Sequence, residues 1–296
     1  MGFQQGFRIN TNTAALDTYR AYSKSQAGLE RNIERLSSGL RINKAADDTA
    51  GLAISQRMNN QVRGMQQANR NVQQANNMLQ TAKGGLNETG NILGRMRELA
   101  LQSASDTVNS DDRGSLNLEF GQLKDEVSRI AKSTDYNEFS LLDGMFDSGV
   151  NALLIQVTPN SDGDNNSYNG MDIIAIQIGD FQVDSFTFGM TDTVNEDGGT
   201  AVGGTVDAST ADFLDLSNLA KSQTSITNLD TMIGAVNNAR SDIGAKQNRL
   251  EFTSSNLMNS IQNTAASMST IRDADFAAEA AELAKNQILA SQAQPC

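Results

Sequence analysis

The chain has 296 residues, a formal charge of −12, two prolines, no tryptophan, no histidine and a single cysteine, Cys296. Without histidine the commonest general base and metal ligand is missing, which argues against zinc, haem and Ser-His-Asp chemistry, and one cysteine cannot form a disulfide within the chain. The acidic balance, with no cluster of five or more Lys/Arg, argues against nucleic acid and anionic membrane as partners.

Met1–Asn12 lacks a basic stretch followed by an apolar one, so export through an ordinary cleaved signal peptide is not expected. No run approaches the roughly 18 apolar residues of a membrane span. The first helix is announced by Leu29, Ile33, Leu36 and Leu40, which step by four, three and four. Asp47 and Asp48 follow. Adjacent helical residues point about 100° apart, so this pair reads as helix-start charge rather than as two catalytic carboxylates.

A heptad begins at Met65. Met65, Val72, Leu79, Leu86, Leu93 and Ala100 recur every seventh residue, while Ala68, Ala75, Ala82, Thr89 and Met96 fill the second seam position. A helix from Asp48 to Ser103 would be about 80 Å long at 1.5 Å per residue. Met58, Met65, Met78 and Met96 read as adaptable core rather than as ligands. A third helix is predicted from Leu116, Phe120, Leu123, Val127 and Ile130, with Asp111 and Asp112 at its start.

Residues 145–220 differ in kind, holding twelve Asp/Glu and no Lys or Arg. Pro159, the turn-rich runs 160–170 and 196–205, and the β-like runs Leu153–Val157, Ile173–Ile178 and Phe181–Phe188 predict a solvated, β-containing insertion. Gly84-Gly85 and the glycines at 198, 199, 203 and 204 lack a strand–helix setting or a GK[ST] ending, so phosphate binding is not supported. Asn165-Asn166-Ser167 is read as a chance sequon, and the acidic run Asp207–Asp215 as solvated charge.

The heptad then returns, with Leu229, Val236, Ile243, Leu250, Leu257 and Ile271 in one column and Thr264 completing it. Ile226, Ile233, Ile261 and Met268 form the expected second column, interrupted by Arg240, Gln247 and Ser254. A helix from Ser222 to Ile271 would be about 75 Å long, matching its N-terminal counterpart. A last helix is expected from Asp273 to Gln294, where Pro295 stops it. Residues 1–44 carry seven Lys/Arg against three Asp/Glu, whereas 272–296 carry two against four, so the two ends attract each other.

These elements predict a mainly α fold: a long antiparallel, coiled-coil-like helical rod formed by both chain ends, with a small β-containing central insertion. Five segments are expected, an N-terminal helix (1–44), helices of the N-terminal rod (45–144), the variable β-hairpin segment (145–220), the C-terminal rod helix (221–271) and a short terminal helix (272–296).

Four blocks carry a family resemblance. Leu36–Ser55 reads LSSGLRINKAADDTAGLAIS, Arg95–Ser103 reads RMRELALQS, Ala239–Arg249 reads ARSDIGAKQNR and Ile271–Leu289 reads IRDADFAAEAAELAKNQIL. In order and placement they resemble the terminal signatures of bacterial flagellins. The resemblance implies a non-enzymatic, cofactor-free subunit that polymerises into the flagellar filament for swimming, located outside the cell. It implies export, unfolded, through the flagellar type III apparatus, and partners that include other subunits, an export chaperone, the filament cap and hook-associated proteins. It places the terminal helices in an inner tube, the heptad helices in an outer tube and the insertion in solvent. Arg95, Leu99 and Glu119 match the positions that a host Toll-like receptor contacts in flagellins, with subunit packing as their primary role. A hook-filament junction protein is the alternative, disfavoured by the closeness of the blocks. Flagellins usually run some twenty residues beyond the position of Leu289, so the C-terminal inner helix is expected to be short.

Overall fold

The computed structural model describes residues 13–146, 152–159, 172–183 and 214–292, with four two-residue strands in between. The start Met1–Asn12, the run 160–170, the triplet Asn165-Asn166-Ser167, the glycines at 198, 199, 203 and 204, most of the acidic run 207–215, Pro295 and Cys296 lie outside the described residues. The chain folds as two compact units, one of residues 1–62 with 261–296 and the other of residues 63–260.

Among the described residues there are five helices: α1 (Thr13–Ser38), α2 (Thr49–Ser103), α3 (Ser110–Ser133), α4 (Leu219–Arg272) and α5 (Phe276–Gln292). Each start after the first has a side-chain cap where the sequence supplies Asp or Asn. Asp48 accepts the Gly51 N–H at 2.9 Å to open α2, Asn109 accepts that of Asp112 at 2.8 Å to open α3, and Asn218 accepts that of Ala220 at 2.8 Å to open α4. Asp275 opens α5 by accepting the Ala277 N–H at 2.9 Å. Asp47 does a different job from its neighbour, accepting the N–H groups of Asn43 and Lys44 and closing the turn before α2. Those backbone hydrogen bonds hold its carboxyl below the usual range.

In the first unit, α1 and α5 run antiparallel. Gly28 faces Asn286 and Arg35 reaches Glu279, so later residues of α1 meet earlier residues of α5. The pattern Leu29, Ile33, Leu36, Leu40 implied an apolar contact face, and here the structure differs: Ile33 is exposed and Asn32 is buried in its place. Helix α1 ends at Ser38, short of the expected segment end at residue 44, because Gly39 adopts φ +70° and its N–H bonds back to Arg35, a left-handed stop. Beyond that stop, Leu40 and Asp273 form an antiparallel bridge, with Arg41 N donating to Arg272 O at 2.7 Å and Ala274 N to Gly39 O at 3.0 Å. That bridge occupies Asp273 and delays α5 to Phe276, three residues later than expected.

In the second unit, α2 and α4 run antiparallel: Asn69 meets Ser254, Gly90 lies against Val236, Arg97 bonds Asp230 and Ser103 meets Ser222. The segment 45–144 contains a hairpin that periodicity did not suggest. Strands β1 (Asp135–Tyr136) and β2 (Phe139–Ser140) pair through a two-residue turn in which Asn137 and Glu138 both have positive φ. In the insertion, β3 (Leu153–Gln156) pairs antiparallel with β4 (Ile173–Ile176). The run Phe181–Phe188 is not one strand. Phe181 and Val183 are buried without a ladder, and Thr187–Phe188 form β5, paired with β8 (Val206–Asp207), while β6 (Thr193–Val194) pairs with β7 (Thr200–Ala201). Gly64 and Gly85 on α2 admit the insertion and hairpin side: an added Cβ would meet Pro159 at 2.5 Å and Thr134 Oγ1 at 2.7 Å.

Candidate assembly surfaces

The seam of the second unit is built on the heptad columns. Met65, Val72, Leu79, Leu86 and Leu93 of α2 are buried, as are Leu229, Val236, Ile243, Leu250 and Leu257 of α4. The second α2 column, Ala68, Ala75, Ala82, Thr89 and Met96, is buried with them. On α4 the second column differs from the expectation. Ser225, Met232 and Ala239 are buried, whereas Ile226 and Ile233 are half-buried. Leu229 has an apolar neighbour three residues away on either side, Ile226 and Met232, and it is Met232 that is buried while the isoleucines are left at the margin. That phase also takes Arg240 and Gln247 out of the seam, so they do not interrupt it.

A polar cluster ties the top of the seam to the returning chain. Ser103 Oγ donates to Leu216 O at 3.1 Å and lies 2.9 Å from Ser222 Oγ, and both serines are fully buried. The Leu216 N–H donates to Asn117 Oδ1 at 3.0 Å. Arg113 donates to the carbonyls of Ser103 and Ser105, satisfying the open end of α2. Lys221 pairs with Asp215 at 2.8 Å. Burial pushes the Asp215 carboxyl up, but the hydrogen bonds from Lys221 and Ser217 outweigh it and leave the group below its ordinary value.

Arg95, Leu99 and Glu119 are brought together unequally. The Arg95 guanidinium pairs with Glu98 and, across the interhelix gap, with Glu119, each at 3.0 Å. Hydrogen bonds to Glu98 and then to Glu119 raise its pKa above the usual arginine value. All three are surface groups. Leu99, by contrast, is 1% exposed and belongs to the core under them. Being four residues from Arg95 put Leu99 on a shared stripe, but that stripe straddles the edge of the seam, and Leu99 takes the inner side.

In the first unit the α1/α5 contact is polar at its centre. The Asn32 amide, oriented to satisfy both of its ends, accepts from Leu283 N and Asn286 Nδ2 at 3.1 Å each and donates to Gly28 O at 3.2 Å. Arg35 pairs with the buried Glu279 at 3.3 Å. The opposite charge of the two chain ends hinted at that pair; nothing in the periodicity marked Asn32 or Gly28. Meanwhile Leu16, Tyr19, Ile33, Phe276, Ile288 and Leu289 are exposed on the same two helices. Six large apolar side chains of this two-helix unit are thus open to contacts outside it. Among the described residues no helix is long and apolar enough to cross a membrane.

Comparison with known proteins supplies the context for these surfaces. Residues 9–147 match the bacterial flagellin N-terminal helical region, and residues 226–295 match the bacterial flagellin C-terminal helical region. The chain is 37% identical over 287 residues to a flagellin of Halalkalibacterium halodurans, covering 96% of this chain and 93% of that protein. It is 34% identical over 287 residues to the flagellar filament 33 kDa core protein of Treponema phagedenis, covering 95% and 91%. A solved structure of a putative flagellar hook-associated protein from Vibrio parahaemolyticus superposes with a TM-score of 0.55 at 12% identity, over 77% of this chain and all of that one, a likeness of fold alone.

Proposed function

Because this chain belongs to the bacterial flagellin family, we propose that it is a structural, non-enzymatic subunit that polymerises into a flagellar filament used for swimming. The observation that carries the reading is the open apolar surface of α1 and α5 in a chain whose two ends both match filament proteins. Burying a large apolar side chain contributes about 1.5 to 3 kcal/mol, and in this unit that energy is left for contacts between subunits. The terminal segments 1–44 and 272–296 then form an inner layer, the rod segments 45–144 and 221–271 an outer layer, and 145–220 the solvent-facing part. The subunit is extracellular, leaves the cell unfolded by the flagellar type III route without a cleaved signal peptide, and meets an export chaperone, the filament cap and hook-associated proteins on the way.

The exposed Arg95–Glu119 pair offers a host Toll-like receptor a charged feature on the α2/α3 surface, with Leu99 acting beneath it by holding that surface in place. The hook-filament junction role is not favoured, since the hook-associated likeness extends to the fold and not to the sequence. Electron microscopy of native appendages labelled with an antibody to this chain tests the assignment. Label along the whole shaft is expected; label confined to the base would replace the filament role with the junction role.

A further inference from the structure

The second unit has an apolar recess on one side and an apolar projection on another. The recess, about 300 Å³, is walled by Ala75 and Met78 of α2, by Phe139 and Phe146 from the hairpin and the loop after it, and by Leu153 and Leu154 of β3. Phe139 and Phe146 stand with ring centroids 6.3 Å apart, so the recess already has an aromatic wall. Its mouth is open: Phe139 and Leu154 are each 48% exposed. The projection is Phe252, which at 77% is the most exposed large apolar side chain among the described residues. It sits two residues, roughly 200° of helix, from the fully buried Leu250, so it points away from the α4 seam. On α2, the residues lining the recess (Asn71, Ala75, Met78) and those facing α4 across a polar furrow (Asn76, Gln80, Lys83) fall on roughly opposite sides of the helix. Projection and recess therefore cannot close on each other within one chain.

An open filament needs a contact between two different patches of the same chain, since a self-complementary patch closes at a dimer. Taking the filament assignment as its premise, we propose that Phe252 of one subunit seats in the recess of a neighbouring copy. Charge favours a second copy as the occupant. Arg249 lies three residues before Phe252, about 60° round the helix, and the hairpin at the mouth of the recess carries the exposed carboxylates Asp135 and Glu138. Glu251, the acid nearest Phe252 in sequence, turns toward the polar furrow with Asn76 and Lys83. The volume suffices, because an apolar cavity of about 150 Å³ holds a benzene ring.

The test uses the full chain. Phe252→Ala should leave the monomer's circular dichroism and thermal midpoint unchanged while raising the critical concentration for polymerisation roughly tenfold. Arg249→Glu should weaken polymerisation, and adding Asp135→Arg should restore part of it. In a Cys296→Ser background, the double variant Phe252→Cys with Leu154→Cys should give a ladder of covalent multimers when preformed filaments are oxidised. Neither single variant should give more than dimers. If the wild-type chain forms no filaments, the filament assignment itself falls. If it forms filaments, but Phe252→Ala assembles equally well and the double-cysteine filaments give no ladder, the seating of Phe252 is overturned and the assignment stands.

Discussion

Thr89 sits in the second column of the α2 seam, fully buried, and its hydroxyl has no hydrogen-bond partner. Exposed threonines on the same long helices satisfy their hydroxyls by donating to the carbonyl four residues back, as Thr81 does to Asn77 at 3.2 Å and Thr253 to Arg249 at 2.9 Å. Thr89 lacks even that bond. Burying a hydroxyl without a partner costs about 1 to 3 kcal/mol, and valine has nearly the same shape with the same β-branching, so helix propensity barely changes. Thr89→Val should therefore stabilise the monomer by about 1 kcal/mol or more, raising the thermal midpoint by roughly 2 to 4 °C in a chain of this size. Urea unfolding of monomer followed by circular dichroism reads the change as a shift in midpoint at constant slope. Thr89→Ser keeps the hydroxyl, loses a methyl and should destabilise. A Thr89→Val variant less stable than wild type would mean that the hydroxyl is satisfied, for example by a buried water, and that the reasoning from its missing partner is wrong.

Leu86→Ala removes a fully buried seam residue and should cost about 3 to 5 kcal/mol of monomer stability in the same assay, whereas Ile33→Ala, on an exposed face of α1, should stay within about 0.5 kcal/mol yet slow polymerisation. Hydrogen exchange on the monomer should be slow around Leu79 and Leu250 and fast along α1 and α5, becoming slow there only in filaments; uniform protection in the monomer would contradict the reading of the terminal unit. The Asp215 carboxyl has a lowered folded-state pKa, so its contribution to stability is present above its unfolded value near 3.8 and is lost as pH falls through the folded value. Acid unfolding of Asp215→Asn should accordingly be flatter below about pH 4 than that of wild type. Arg95→Ala should weaken signalling through the host receptor and also impair assembly; a variant that lost signalling while swimming normally would separate the two roles.

Much of the second unit was legible in the sequence because its stabilising term is periodic. In the two main columns every residue from Met65 to Ala100 and from Leu229 to Leu257 is buried, Thr264 and Ile271 being half-buried, and α2 and α4 begin and end within a few residues of the predicted limits Asp48–Ser103 and Ser222–Ile271. The repeat could not choose the companion column of α4, since Leu229 has apolar candidates three residues away on both sides, Ile226 and Met232, which the period alone does not separate. The β1–β2 hairpin escaped notice because its turn is Asn137-Glu138. Two positive φ angles usually advertise themselves through Asn-Gly, and a glutamate there gives no such signal. The resemblance grouped Leu99 with Arg95, and their four-residue spacing fits a shared stripe, but neither says how deep each residue lies within it.

The terminal unit was read least well, and the reason is physical. Its intrachain contact rests on the Asn32 amide, the close approach at Gly28 and the Arg35–Glu279 pair, none of which follows a hydrophobic period. A hydrogen bond of this kind contributes about 0.5 to 1.5 kcal/mol net, and it demands a defined partner geometry before it contributes anything. Such contacts specify which helix pairs with which, and in what register, beside the half-buried Leu29, Leu36 and Leu283. Leu16, Tyr19, Ile33, Phe276, Ile288 and Leu289 are thereby kept facing outward. Replacing the polar centre by leucines would strengthen the pair within one chain, but it would also offer any passing apolar surface an unspecific partner. For the filament subunit proposed above, a terminal pair that is specific in register but weakly held leaves those outward-facing side chains for contacts between copies.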